Sequence, residues 1–418
     1  MAVRERRRAA LAIGALPLAA LLGACRAQEA ADGRGSVVFR HPKLFGDPEP
    51  FDALLAGFER ASGIRVRRDA LPASSDEQHL FYAINLQARS REFDVLALDT
   101  IWVAEFAQAG WLRDLTHLLP TGDRADFFPG PLASVTWHGR IYGLPWFADA
   151  GLLYYRADLL ARHGLVPPRT WEELVAAAHT VTRAQPALHG FVWQGKQYEG
   201  LVCNALEFIW SHGGALDAAH ADAASRGLEF MRALVTGKVT PEYVTTLTED
   251  PTRVIFGRGG ALFLRNWPYA WQLLEREGSA VRGRVGAAVL PHSPGQAPAA
   301  TLGGWQLGVN AFSPRAEAAE RVAAFLAAAP AQKAFALAYG YSPPRRSLYA
   351  DTELAAGQPL FARLRAILEA ARPRPISPHY VALSQTLQAE FSAVLVGARP
   401  AGTALDAVRR AAASLEAR

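Results

Sequence analysis

Phe93-Asp94-Val95-Leu96-Ala97-Leu98-Asp99 is the stretch on which the fold turns. Its short apolar run predicts a buried strand over 93–98, and the polar residues that follow mark the strand's carboxyl end. Upstream, Ser36-Val37-Val38-Phe39 is a β-prone run, and Phe51, Leu54, Leu55 and Phe58 fall at the i, i+3, i+4, i+7 spacing of a buried helix face stopped by Ser62-Gly63. Ile64-Arg65-Val66-Arg67 alternates as a strand, and Ser74-Ser75-Asp76-Glu77 predicts a capping box. Downstream, Thr100 is placed to cap a helix running to Gly110. Three strand–helix units in about seventy residues predict a mostly parallel sheet with crossover helices, and such sheets bind ligands beyond the carboxyl ends of their strands.

A second α/β region follows the hairpin-like segment Trp137-His138-Gly139-Arg140-Ile141-Tyr142-Gly143. It holds strands at Gly151–Tyr155, Gly260–Leu264 and Val285–Leu290, a capping box at Thr170-Trp171-Glu172-Glu173, and helices near 199–211 and 221–236. The Pro/Gly-dense stretch 291–298 predicts a loop between lobes, Leu307-Gly308-Val309 another strand, and Ser313-Pro314 the opening of an Ala-rich helix. Residues 352–418 read as helical, interrupted at Arg372-Pro373-Arg374-Pro375.

The 418 residues, half of them apolar, exclude a disordered or coiled-coil chain and are enough for two packed domains. The net charge of +5 is concentrated at the N-terminus: residues 1–24 carry Arg4, Arg6, Arg7 and Arg8 against Glu5, and removing their +3 leaves +2. No basic stripe points to nucleic acid. Those arginines precede an apolar run from Ala9 to Ala24, the layout of a secretory signal peptide, with twin-arginine export also open. The run ends Leu22-Gly23-Ala24-Cys25, which resembles a lipoprotein lipobox, so Cys25 is expected to carry lipid and residues 25–35 to form a tether. With Cys25 modified, Cys203 has no intrachain disulfide partner.

Linear enzyme motifs are missing: there is no nucleophile elbow, Walker loop, dinucleotide fingerprint or metal-ligand spacing. Two carboxylates that meet in space for glycoside hydrolysis need no such motif, which keeps a lipid-anchored hydrolase using Asp99 and Asp149 as an alternative. Asp99 serves equally as a helix N-cap or as an acceptor for ligand hydroxyls. Of ten tryptophans, Trp267 and Trp305 sit beside a helix start and beside glycines, where rings can face a cleft, whereas Trp102, Trp111, Trp171 and Trp210 read as packing.

The run from Phe93 to Trp102, with Glu105-Phe106 and Ala109–Leu112, resembles family 1 extracellular solute-binding proteins of ABC importers, in particular the trehalose/maltose-binding branch. The resemblance continues through Gly143–Arg156, Phe256–Ala261, Arg265–Tyr269, Gly303–Leu307 and Arg374–Tyr380. It implies an α/β, type II periplasmic-binding-protein fold with a ligand cleft between two discontinuous lobes: 36–146 plus 302–345, and 147–301 plus 346–418. It further implies that Asp99 and Asp149 bond sugar hydroxyls, that Trp267, Tyr269 and Trp305 line or stack on the rings beside Gly304, and that Arg374, with Arg372 as the alternative, donates to hydroxyls. Three positions depart from that pattern: Asp47, with Glu49 two residues on, stands for a glutamate, Phe147 for a tyrosine and His79 for an arginine. The expected protein is a monomeric lipoprotein without cofactor or metal that is no enzyme. It would capture trehalose or another small α-linked disaccharide at the membrane and deliver it to permease subunits. A phosphorylated polyol or another non-sugar solute is the remaining alternative.

Overall fold

The computed structural model describes residues 36–72, 74–357 and 360–417; the signal peptide, Cys25 and the tether lie outside them. Eleven strands are formed there: β1 (Ser36–Pro42), β2 (Arg65–Leu71), β3 (Val95–Asp99), β4 (Thr136–Trp137), β5 (Arg140–Ile141), β6 (Leu144–Ala150), β7 (Leu152–Arg156), β8 (His189–Val192), β9 (Ala261–Asn266), β10 (Val285–Ala288) and β11 (Leu302–Val309). They build a five-stranded sheet in the order β2-β1-β3-β11-β6, a four-stranded sheet in the order β10-β7-β9-β8, and the β4-β5 hairpin. In the first sheet β2, β1 and β3 are parallel, and β11 runs antiparallel between β3 and β6. The mostly parallel sheet expected around residues 93–98 is therefore present.

Alternation along each strand divides the first sheet's residues between two cores. Val37, Phe39, Val95, Ala97, Leu307 and Val309 enter one cluster with the helices Glu49–Ser62 and Ala316–Leu326. Val38, Leu96 and Leu98 enter the other with Tyr82, Trp102 and Phe106. Both faces are covered, which is why Val95–Leu98 carries no polar residue. The second sheet packs into a third core with the helices Trp171–Ala184, Glu199–Ser211, Ala221–Thr236 and Tyr380–Leu395.

The chain passes from the first sheet to the second at Gly151, between β6 and β7, and returns between β10 and β11 through the Pro/Gly-rich loop. Gly151 admits no side chain, since a Cβ there would lie 2.0 Å from Glu207 Oε1.

Local signals stand with a few corrections. Gly63, at φ 73°, caps its helix, Ser74 accepts from the Glu77 N–H, and the Thr170–Glu173 box is reciprocal. Thr100 does not cap the following helix, which spans only Val103–Gln108, because its hydroxyl donates to Asp99 instead. Ser313 likewise bonds Asp94 Oδ1, and the Ala-rich helix begins at Ala316. It breaks before the next helix, Ala329–Tyr339, which has Pro330 in its first turn.

Candidate functional site

The carboxyl ends of both sheets point at one cavity. β3 ends at Asp99, β6 at Asp149-Ala150, and β9 runs out through Asn266 into Trp267. Strand register places the two aspartates on either side of β11, Asp99 opposite Trp305 and Asp149 opposite Gly303. Residues 50 apart in sequence thus meet because β11, two hundred residues later, pairs between their strands.

The cavity measures about 200 Å³. Asp99, Phe147, Asp149, Gly304 and Trp305 line it from the first sheet, and Trp267, Tyr269 and Arg374 from the other side. Eight of the eleven residues singled out from sequence are thereby brought together. Asp47, Glu49 and His79 do not line it. Asp47 and Glu49 are exposed at the start of the helix Glu49–Ser62, with the Asp47 carbonyl accepting from the Tyr339 hydroxyl. His79 is held 2.8 Å from Glu105 and packs on Trp102 and Phe106. Arg374 rather than Arg372 enters the cavity: Arg372 is exposed, and its backbone bonds both Ala300 and Leu302 across the Pro/Gly-rich loop.

Gly304 is there for steric reasons. Its φ of 112° belongs to glycine, and a Cβ would come within 2.4 Å of the Phe147 carbonyl oxygen. The strands close tightly there, and a bulge between Trp305 and Gln306 re-aims the tryptophan. Trp305 meets Trp102 edge to face with centroids 5.6 Å apart. Tyr269 stacks on Phe45 at 4.7 Å, and Phe147 packs on Tyr341 at 4.4 Å.

The polar groups divide into satisfied and unsatisfied ones. Asp99 accepts from Ser75 Oγ, Thr100 Oγ1, the Ile101 N–H and Arg374 Nη2, the last at 2.9 Å. Arg374 also donates from Nη1 to Glu199 Oε1 at 2.7 Å, and Glu199 accepts in addition from Tyr380 and Ser384. This buried strap joins β3 to the helix Glu199–Ser211 of the other lobe. In contrast, Asp149 Oδ1, Tyr269 Oη and Arg374 Nε are buried with no hydrogen-bond partner among the described residues. Burial pushes the Asp149 carboxyl up to about 7, against the pull of Arg265.

Sequence reading missed Lys43, Phe45, Ser75, Tyr198, Glu199, Glu249, Asp250 and Tyr341, which also line the cavity. A signal existed only for Glu199. It opens a helix buried on nearly every side, where an acidic residue needs a partner. Among the described residues no cluster of His, Cys, Asp and Glu could hold a metal ion.

Residues 44–333 match the family of bacterial extracellular solute-binding proteins. A "Probable ABC transporter-binding protein" of Deinococcus radiodurans is 36% identical over 347 residues, covering 80% of this chain and 82% of its own. The maltose-bound T. maritima MalE3 structure superimposes with a TM-score of 0.84 at 40% identity, over 90% of this chain and 98% of that one. A Thermotoga lettingae solute-binding protein bound to α-D-tagatose is similar at a TM-score of 0.78 and 25% identity, over 90% and 98% of the two chains.

Proposed function

Because this chain belongs to the family of bacterial extracellular solute-binding proteins, we propose that it captures a neutral α-linked disaccharide of the trehalose or maltose kind and delivers it to the permease of an ABC importer. The observation that carries this reading is the convergence of three buried, unpartnered polar atoms, on Asp149, Tyr269 and Arg374, on an aromatic-lined cavity beside Trp267. Unsatisfied buried groups are costly, and sugar hydroxyls, which both donate and accept, relieve an acceptor, a phenol and a guanidinium together. Flat apolar rings then supply contact to the sugar faces. The similarity to a maltose-bound protein supports the same ligand class.

The lining speaks against an anionic ligand. Asp99, Asp149, Glu199, Glu249 and Asp250 face it with Lys43 and Arg374, and both terminal nitrogens of Arg374 are already paired. It also speaks against hydrolysis, since three donors on Oδ1 of Asp99 and one on Oδ2 hold that carboxylate in place. The relatives are binding proteins. We further assign residues 36–150 with 302–345 to one lobe and 151–301 with 346–418 to the other, the first boundary moving from the expected 146 to 150 because β6 pairs with β11 as far as Ala150, and we assign export by the N-terminal signal, anchoring through lipid on Cys25, and action as a monomer.

The test is thermal unfolding of the chain from Cys25 onward against maltose, trehalose, sucrose and their monosaccharides. A ligand specific for the native state raises the midpoint with concentration. A rise with maltose or trehalose, without release of glucose, is the expected outcome; release of glucose would make the protein a hydrolase, and no rise with any sugar would end the saccharide reading.

A further inference from the structure

Behind the cavity wall lies a side chain with no place in the binding site described above. Arg265 is 1% exposed, and its guanidinium carbon sits 3.9 Å from the centroid of the Trp267 ring. Arg265 lies in β9 and Trp267 directly follows the strand's last residue, Asn266. Glu207 holds Arg265 by its edge, with Nε and Nη2 donating at 2.8 and 2.5 Å, and Nη1 donates to Gln194 at 3.1 Å. All three guanidinium nitrogens are thereby spoken for, and the plane can only lie where it does.

Glu207 is fixed in turn by both segments that connect the sheets. Its Oε1 accepts from the Thr301 N–H at 3.0 Å, one residue before β11, and Gly151, between β6 and β7, lies against it so closely that a Cβ would sit 2.0 Å from the same oxygen and 2.7 Å from Arg265 Nη2. Trp267 is tied at its backbone as well, where its carbonyl accepts from the Tyr154 hydroxyl at 2.9 Å, and its ring packs against the core of the first sheet. Its N–H is bound to Asn266 Oδ1 at 2.8 Å, and its indole Nε1 reaches Glu249 at 3.5 Å.

We propose that Arg265 is a positioning residue: stacked on one face of Trp267 and clamped by Glu207 to both inter-sheet crossovers, it fixes the ring whose other face receives the sugar. A cation over an indole attracts its π face, and in this dry setting the stack is stronger than at a surface. The ring is then held in place before any ligand arrives, and binding need not order it. The consequence of the stack for affinity rests on the saccharide reading above.

The experiment compares Arg265→Lys, Arg265→Met and the double variant Arg265→Met/Glu207→Gln, which leaves no unpaired buried carboxylate if the single change fails to fold. Emission of Trp267 is isolated by subtracting the spectrum of Trp267→Phe from that of each protein in the absence of sugar. A fixed cation on the ring shifts this emission, so the expected result is a displaced difference spectrum and greater quenching by acrylamide in every folded Arg265 variant. With maltose, the same variants are expected to bind more weakly by up to about fivefold, no more than the contact of the ring itself supplies. Gly151→Ala, which presses on Glu207 without touching Trp267, is expected to move the emission in the same direction as Arg265→Lys. An unchanged Trp267 spectrum in a folded Arg265 variant overturns the proposal whether or not maltose binds. Absence of maltose binding by the unaltered protein overturns the ligand reading alone and leaves the spectral arm to decide the role of Arg265.

Discussion

Arg265 and Arg374 form a matched pair within one molecule. Both are almost wholly buried, and both are held by a glutamate from the same helix, Glu207 and Glu199 respectively. They differ in what lies on the far side. Arg265 pairs inside the second lobe, each of its three nitrogens donating to Glu207 or Gln194, and its flat face is left to a tryptophan. Arg374 stretches between Glu199 and Asp99 of the first sheet and keeps Nε unpartnered at the cavity. A buried arginine with every nitrogen engaged serves as a support, whereas one with a nitrogen left over presents a group that a ligand can satisfy.

The strongest way to break this contrast is to remove the saturated member. Arg265→Met leaves Glu207 buried and unpaired and should destabilise the protein by about 3–5 kcal/mol in denaturant unfolding, with most of the loss recovered when Glu207→Gln is added. Recovery of nothing would show that the loss comes from packing. Arg374→Met should cost less, roughly 2–3 kcal/mol, because Asp99 keeps Ser75, Thr100 and Ile101 as donors and Glu199 keeps Tyr380 and Ser384. If instead it costs as much as Arg265→Met, the strap between lobes is as structural as the pair within one.

Two further measurements sharpen the functional half. Asp149 ionises in the unliganded fold only near pH 7, and a sugar hydroxyl donating to it stabilises its charged form and lowers that pKa. Affinity for maltose should therefore rise as pH increases toward 7 and level off above it, by up to about tenfold per unit, and Asp149→Asn should flatten the profile. The opposite slope would mean that Asp149 binds ligand as a protonated donor. In the absence of ligand the sign is reversed for stability. An unfolded aspartate with a pKa of about 3.9 ionises first, so Asp149 makes the fold less stable as pH rises from about 4 to 7. The smallest effect expected is on Trp267→Ala, which should weaken maltose binding by at least about 1 kcal/mol. Unchanged affinity in a titration would take that ring out of the site.

The elements of the fold were legible where local physics decides them. The apolar run before Asp99, the helix stop at Gly63 and the box at Thr170 each follow from short-range chemistry, and each stands in the structure. Thr100 and Ser313 read as helix starts because their hydroxyls suit that role, yet both hydroxyls are taken by aspartates, Thr100 by Asp99 and Ser313 by Asp94 across more than two hundred residues. Of the site, Asp99, Asp149, Trp267, Tyr269, Trp305 and Arg374 were found through the order of their motifs. Asp47, Glu49 and His79 were drawn to the cleft by the same order and lie elsewhere, His79 because Glu105 offers it a nearer partner.

The sequence by itself determined most of the strands and helices, though not β6 or β8, and an α/β molecule large enough for two packed domains; the two lobes came with the resemblance carried by its motifs. Periodicity and capping are local, and sixteen residues contain them. Which acids are free was decided only by tertiary structure. Asp99 and Asp149 each stand at the carboxyl end of a buried strand, and they differ because Ser75, Thr100, Ile101 and, from 275 residues away, Arg374 donate to the first, whereas the second's Oδ1 is bare. Satisfaction of a buried polar group depends on which neighbours the fold delivers, and a sequence read in one dimension does not contain that distance.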